Sequence, residues 1–188
     1  PAVVNMSLVG PASAALDHAV QTSIASGVTY VIAAGNNNID ASSVSPSRVA
    51  EAITVGATSS SDARASFSNF GPAVDLFAPG VSIRSAGLST DISTASMSGT
   101  SMAAPHAAGA AALYLQANPA ASPAAVRDAI VTESTAEVIA DAGAGSPNVL
   151  VYSTSSTTAV TPVVTVVTPN GGQKLFSTVS GNVRWTVQ

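Results

Sequence analysis

The stretch AVVNMSLVGPASAALDHAVQTSIASGVTYVIAAGN (2–36) decides the fold class. Residues 2–8 form a short apolar run typical of a buried strand, and apolar residues recur at helical spacing from residue 12 to residue 26, ending at Gly27. A second β-branched run follows at residues 28–34. Strand, helix and strand in this order predict two parallel strands joined by a crossover helix. The sequence therefore predicts an α/β fold with a mainly parallel sheet.

The rest of the first 152 residues continues this alternation. Ser122 followed by Pro123 is typical of a helix start, with Ser as the N-cap and Pro at the first helical position. Together these elements predict three layers, a mainly parallel sheet with helices on both faces. The further strands are expected at residues 52–58, 74–80 and 148–152, and the further helices at residues 101–117 and 122–131.

A change of composition at residue 153 predicts a domain boundary. Residues 1–152 are expected to form one domain, and the uncharged Ser/Thr/Val-rich residues 153–165 an extended linker. Residues 166–188 alternate β-prone runs with Asn-Gly-Gly and Ser-Gly-Asn turns. They predict the first strands of a small β module, truncated here because two or three strands do not bury a core alone.

Composition excludes several classes of function. Six Lys and Arg against ten Asp and Glu give a formal charge of −4, which argues against a nucleic-acid partner. The longest nearly unbroken apolar run, Ala107 to Leu115, is too short to span a membrane. The chain has no cysteine, so disulfides, thiolate metal sites and thiol catalysis are excluded.

The octet GTSMAAPH (99–106) is the segment most suggestive of chemistry. It places Ser101 at the start of a small-residue helix, where free backbone N–H groups and the helix dipole favour a bound anion. Gly99 leaves room for a substrate backbone. The trio Gly-Thr-Ser alone favours a serine N-cap, whereas the full octet favours a nucleophile. It differs from the G-x-S-x-G elbow, because Ala103 stands where the second glycine belongs.

This octet resembles the nucleophile motif of the subtilisin-like serine proteases, and the nearest likeness is to the proteinase K and aqualysin branch. The resemblance extends through AAGNNN (33–38), SPSRVAEAITVGAT (45–58), SSDARASFSNFG (60–71) and VDLFAPG (74–80), and it covers residues 2 to about 152. It implies the three-layer subtilisin-like fold and the hydrolysis of peptide bonds through an acyl-enzyme. It also implies a secreted protein that needs no organic cofactor and acts on polypeptides.

The resemblance implies a role for each matching residue. Ser101 is the expected nucleophile, and the Asn36 amide is expected to stabilise the oxyanion together with the Ser101 N–H. A turn residue is the alternative interpretation of Asn36. Val9 departs from the family, which has glycine there, and this departure bears on the shape of the substrate subsites. The expected substrate-binding residues are Ser7, Leu8 and Val9 along an added strand, Ala33, Ala34 and Gly35 in the first specificity pocket, and Gly99 and Thr100 beside the nucleophile.

Neither histidine is expected to be the general base. His106 follows Ser101 by five residues, which puts it some 140° around the helix, and His18 lies in the middle of another helix. The family order Asp, His, Ser implies that the Asp and His precede Pro1. The expected partner of this chain is therefore the N-terminal half of its own catalytic domain. The alternative function is a non-catalytic protease-like scaffold or an adhesion and binding module.

Asp75 is the candidate metal ligand. The resemblance implies a structural calcium ion bound by the Asp75 carboxylate and by the carbonyls of Ala50 and Ala52. The alternative is a strand-end aspartate that caps a turn. Arg127 and Arg64 are expected to be surface charges.

Overall fold

A computed structural model describes residues 1–153 and, beyond them, the backbone of residues 163–166, 173–177 and 183–184. By its contacts the chain divides into two units, Pro1–Ser85 with Thr94–Ser153, and Ala86–Ser93 with Thr154–Gln188. In the second unit, three short strands form an antiparallel sheet. Most of the predicted linker at 153–165 and of the predicted module at 166–188 lies outside the described residues.

The elements of the chain are short and follow one another closely. In chain order they are β1 (Ala2–Met6), β2 (Gly10–Pro11), α1 (Ala14–Ala25), β3 (Val28–Ala33), a 3-10 helix (Ala41–Ser43), β4 (Val44–Ser45), β5 (Ile53–Thr58), β6 (Leu76–Pro79), β7 (Ile83–Ala86), β8 (Thr94–Met97), α2 (Thr100–Ala117), α3 (Pro123–Glu133), β9 (Thr135–Ala136), β10 (Val149–Leu150), β11 (Val163–Val166), β12 (Gln173–Ser177) and β13 (Val183–Arg184).

The central sheet has six strands in the order β1-β3-β5-β6-β10-β9. Every pair is parallel except β9 with β10. In this register Met6 lies opposite Ile32, and Ala33 lies opposite Val55. The carboxyl ends of β1 and β3 therefore meet at one edge of the sheet, which is where open α/β sheets bind their ligands. The predicted mainly parallel sheet is confirmed.

Helices cover both faces of this sheet. Val31 and Ala33 of β3 pack in the core under α2, whereas Ile32, the residue between them, packs in a second cluster with Val20 and Ile24 of α1. Successive strand residues point to opposite faces, so α1 and α2 lie on opposite sides of the sheet. The alanines of α2 allow the close approach of helix and sheet, and five of them are at most 5% exposed. The predicted three-layer α/β architecture is confirmed.

Helix starts follow local capping chemistry. Ser122 is the N-cap of α3 and accepts a hydrogen bond from the Ala125 N–H at 3.2 Å, as the Ser-Pro signal predicts. Gly99 is the N-cap of α2, and Ser101 is the second residue of that helix. The N-cap interpretation of Ser101 is therefore wrong.

Among the residues that the structure describes, no helix is both long enough and apolar enough to cross a membrane.

Candidate active site

Three sequence-distant residues meet at the carboxyl edge of the sheet. Ser7 follows β1, Asn36 follows β3, and Ser101 lies in the first turn of α2. The Ser101 hydroxyl donates to the Ser7 carbonyl at 3.3 Å, and the Ser7 hydroxyl donates to the Ser101 carbonyl at 2.8 Å. The predicted nucleophile is thus held directly beside the predicted substrate-binding segment.

The Asn36 side chain is fixed through its carbonyl oxygen. Asn36 Oδ1 accepts from the Thr100 N–H at 2.8 Å and from the Thr100 hydroxyl at 2.9 Å. The Thr100 hydroxyl oxygen in turn accepts from the Gly35 N–H at 3.1 Å. With Oδ1 bonded to α2, the amide nitrogen of Asn36 is the end available to donate to a ligand. The residues of this turn with positive φ are Gly35, at +105°, and Asn38, at +53°. Asn36 is not one of them, so it does not supply the unusual backbone angles of a turn residue.

A buried asparagine fixes the turn that presents Asn36. Asn69 is 0% exposed, and its amide donates to the Ala34 carbonyl at 2.8 Å. Its oxygen accepts from the Asn37 and Ile39 N–H groups at 3.0 and 3.2 Å. A side chain at Gly35 would collide with the Asn69 amide. Sequence reasoning assigned Asn69 no role, although an Asn inside the SFSNFG segment is a signal of such a clamp.

Arg64 braces the same turn from outside. Its guanidinium donates to Asn38 Oδ1 at 2.8 Å and to the Ser68 carbonyl at 2.7 Å, and it lies 5.2 Å from the centre of the Phe70 ring. The Arg64 side chain is 11% exposed, so the prediction that it is a surface charge is wrong.

A cleft of about 660 Å³ opens next to Ser101. Ala34 and Gly99 do not line it: Ala34 is fully buried against the core around Phe77, and Gly99 is buried at the start of α2. Neither residue therefore borders the cleft in which it was expected to contact substrate. Its lining includes most of the expected substrate-binding residues, namely Ser7, Leu8, Val9, Ala33, Gly35 and Thr100, together with Asn36 and Ser101.

The first turn of α2 offers one backbone donor to this cleft. The Thr100 N–H is bonded to Asn36, and the N–H groups of Met102 and Ala103 are bonded to the Gly99 carbonyl. No acceptor among the described residues is bonded to the Ser101 N–H. That group and the Asn36 amide are thus two donors on residues that line the same cleft, as an oxyanion site requires.

Neither histidine is bonded to Ser101. His106 borders a second cavity, of about 340 Å³, which Ser101 also borders, but its Nδ1 is bonded to the Met102 carbonyl at 2.8 Å. His18 is exposed on α1. Within residues 1–153, therefore, no imidazole is in hydrogen-bonding contact with the Ser101 hydroxyl.

The Asp75 carboxylate is engaged by protein donors on both oxygens. Oδ1 accepts a hydrogen bond from Arg127 Nε at 2.7 Å and lies 2.6 Å from a terminal nitrogen of the same guanidinium. Oδ2 accepts from the Thr54 N–H at 2.7 Å. Burial raises the pKa of Asp75 above 3.8, while Thr54 and Arg127 act in the opposite direction. Arg127 is thus an ion-pair partner of Asp75, and its own side chain is 37% exposed, as expected for a surface charge.

These contacts do not fit the expected calcium role of Asp75. A calcium ion would share the carboxylate with a guanidinium of the same sign of charge. The cavity that Asp75 borders is not lined by Ala50 or Ala52, and Ala52 is 1% exposed. The described residues also contain no cluster of three or more Asp, Glu, His or Cys suited to a metal ion. The calcium site stays a prediction from the resemblance.

A serine on the first turn of a helix, beside an amide donor at the carboxyl edge of a mainly parallel sheet, is typical of α/β serine peptidases. The family model described as the subtilase family matches residues 1–179. The chain therefore belongs to the subtilase family.

Individual relatives agree with this membership. The chain is 58% identical over 152 residues to an extracellular serine proteinase of Thermus sp. (strain Rt41A), and 53% identical over 153 residues to alkaline serine exoprotease A of Vibrio alginolyticus. Each match covers 81% of this chain, but only 37% and 28% of the relatives. The solved structure of a cold-adapted subtilisin-like serine proteinase matches with a TM-score of 0.78 and 49% identity, over 82% of this chain and 55% of that one. The chain thus spans about a third of the length of these curated relatives.

Proposed function

We propose that the complete protein is a secreted serine endopeptidase and that this chain supplies its nucleophile and its oxyanion site. The observation that carries the proposal is the convergence of three groups at the cleft, the Ser101 hydroxyl, the Ser101 N–H and the Asn36 amide held by Thr100. The names of the relatives, extracellular serine proteinase among them, support secretion and a polypeptide substrate.

In the proposed reaction, Ser101 Oγ attacks the scissile carbonyl carbon and loses its proton to a general base. The carbonyl oxygen becomes an anion, to which Asn36 Nδ2 and the Ser101 N–H donate. The carbon–nitrogen bond then breaks, and the amine leaves with the proton from the base. Water repeats these steps on the acyl-enzyme, releases the acid and restores the serine.

The general base comes from outside the described residues in this proposal. The order Asp, His, Ser implied by the resemblance places a histidine and its orienting aspartate upstream of Pro1. The partial coverage of the relatives supports this placement, because their sequences contain much that this chain does not. The Ser101 hydroxyl, now bonded to the Ser7 carbonyl, would turn toward the incoming imidazole.

Labelling with a fluorophosphonate tests the proposal. In the complete protein the probe should label Ser101 and no other residue, since only a serine beside a general base and oxyanion donors is activated. Ser98→Ala is the matched control: Ser98 precedes the same helix and accepts a bond from the Ser82 N–H, and its loss should leave labelling intact. Labelling that persists in Ser101→Ala would show that the nucleophile is misplaced. A complete protein that is not labelled would favour the non-catalytic scaffold.

A further inference from the structure

A valine, Val9, forms part of the lining of the cleft. Val9 lies between the end of β1 and the start of β2, and its side chain lines the cleft while packing against the core. Val9 Cγ1 lies 3.4 Å from the position that a Cβ of Gly35 would occupy. A methyl group added at Gly35 would therefore touch the Val9 side chain, so the two residues are close neighbours in the lining of the cleft.

The backbone on either side of Val9 is fixed. Ser7 is bonded to α2 through both its hydroxyl and its carbonyl, and Gly10 pairs with Ser45 in the short antiparallel sheet of β2 and β4. Gly35 is fixed by the bond of its N–H to the Thr100 hydroxyl and by the bond that its carbonyl accepts from the Asn69 N–H at 2.9 Å. The backbone at Val9 and at Gly35 thus cannot move away from a bulky substrate side chain without breaking these hydrogen bonds.

We propose that Val9 determines the substrate class by restricting the cleft to small side chains, such as alanine, at the residue that donates the scissile carbonyl. This inference rests on the proposed function. When the scissile carbonyl lies between Ser101 Oγ and Asn36 Nδ2, the side chain of the same substrate residue lies against the nearby lining of the cleft, which includes Val9 and Gly35. A phenylalanine side chain would have to displace the valine, whereas a methyl group would not.

The test is the ratio of kcat/KM for two peptides that differ only in Phe or Ala at the position before the cleaved bond, measured on the complete protein. The wild type should prefer Ala. Val9→Gly should raise the Phe to Ala ratio by about tenfold to two-hundredfold, the range expected for a change of one or a few methyl-sized groups in an apolar pocket. Val9→Ala should give an intermediate ratio. It shortens the side chain without the extra backbone freedom that glycine brings to Val9→Gly.

Val138→Gly is the matched control, because Val138 is 40% exposed and does not line the cleft. Its Phe to Ala ratio should equal that of the wild type. Fluorophosphonate labelling of Ser101 is measured on the same samples and separates the two proposals. Labelling with an unchanged ratio in both Val9 variants, or a wild type that prefers Phe, would overturn the role of Val9 and leave the proposed function intact. Absence of both labelling and turnover in the wild type would overturn the two together.

Discussion

The Ser7 hydroxyl takes the place of a missing backbone donor in α2. In a regular helix the Ser101 carbonyl accepts from the N–H four residues later, but that residue is Pro105, which has none. Ser7 Oγ donates to this carbonyl at 2.8 Å instead. The proline thus leaves an acceptor for Ser7, the residue after β1, and this bond attaches the first turn of α2 to the expected substrate-binding segment.

Ser7→Ala should lower the free energy of unfolding by about 1–3 kcal/mol, because it leaves a part-buried carbonyl unpaired. Pro105→Ala restores an N–H at the position that the Ser101 carbonyl requires. The cost of Ser7→Ala should therefore be smaller in a Pro105→Ala background, measured by urea unfolding of the complete protein as a double-mutant cycle. Equal costs in both backgrounds would contradict the link between Ser7 and Pro105.

Asn36→Ala should lower kcat by about 10²–10³ with little change in KM, the range known for removing one oxyanion donor from subtilisin. The effect falls on kcat because the amide meets the oxygen only once that oxygen is charged. Thr100→Val, which removes one of the two bonds to Asn36 Oδ1, should lower kcat less, and Thr100→Ser should restore it. Steady-state kinetics on a chromogenic peptide measure these values. A change confined to KM would assign Asn36 to substrate binding.

Arg127→Met should destabilise the complete protein by about 1–3 kcal/mol, since it leaves the mostly buried Asp75 carboxylate without its cation. Arg84→Met, at an exposed arginine on β7, is the matched control and should cost less than about 0.5 kcal/mol.

Because Arg127 already compensates the charge of Asp75, a calcium chelator should change the melting temperature of the wild type and of Asp75→Asn equally. A larger fall in the wild type would support the calcium site expected from the resemblance.

Residues 1–188 by themselves should not cleave a peptide, because no imidazole of residues 1–153 is bonded to Ser101 and a serine hydroxyl is a weak nucleophile without a base. The strand β1 is also at one end of the sheet order and leaves its outer edge unpaired among the described strands. Adding the upstream segment of the protein in trans should restore turnover of a chromogenic peptide. Turnover by the purified chain that disappears in Ser101→Ala would require a base within these residues.

The architecture was predictable because its signals are local. The β-branched runs of β1 and β3, the Ser-Pro start of α3 and the small residues of α2 each act through neighbours a few positions away. Boundaries moved by at most two residues, as at β1, which ends at Met6 and leaves Ser7 free to bond to α2. Ser101 and Asn36 were singled out because each lies in a continuous motif of the sequence, GTSMAAPH (99–106) and AAGNNN (33–38).

The sequence by itself determined the α/β class, the helix that carries Ser101 and the family, because periodicity, capping and short motifs are properties of contiguous residues. Only the tertiary structure decided which side chains hold one another. Thr100 binds Asn36 across 64 positions, Ser7 binds Ser101 across 94, and Arg127 binds Asp75 across 52. Such pairs depend on the order of strands in the sheet and on where the helices cross it. A local pattern of residues does not predict which of these distant residues will meet, because the packing of a different element positions each partner.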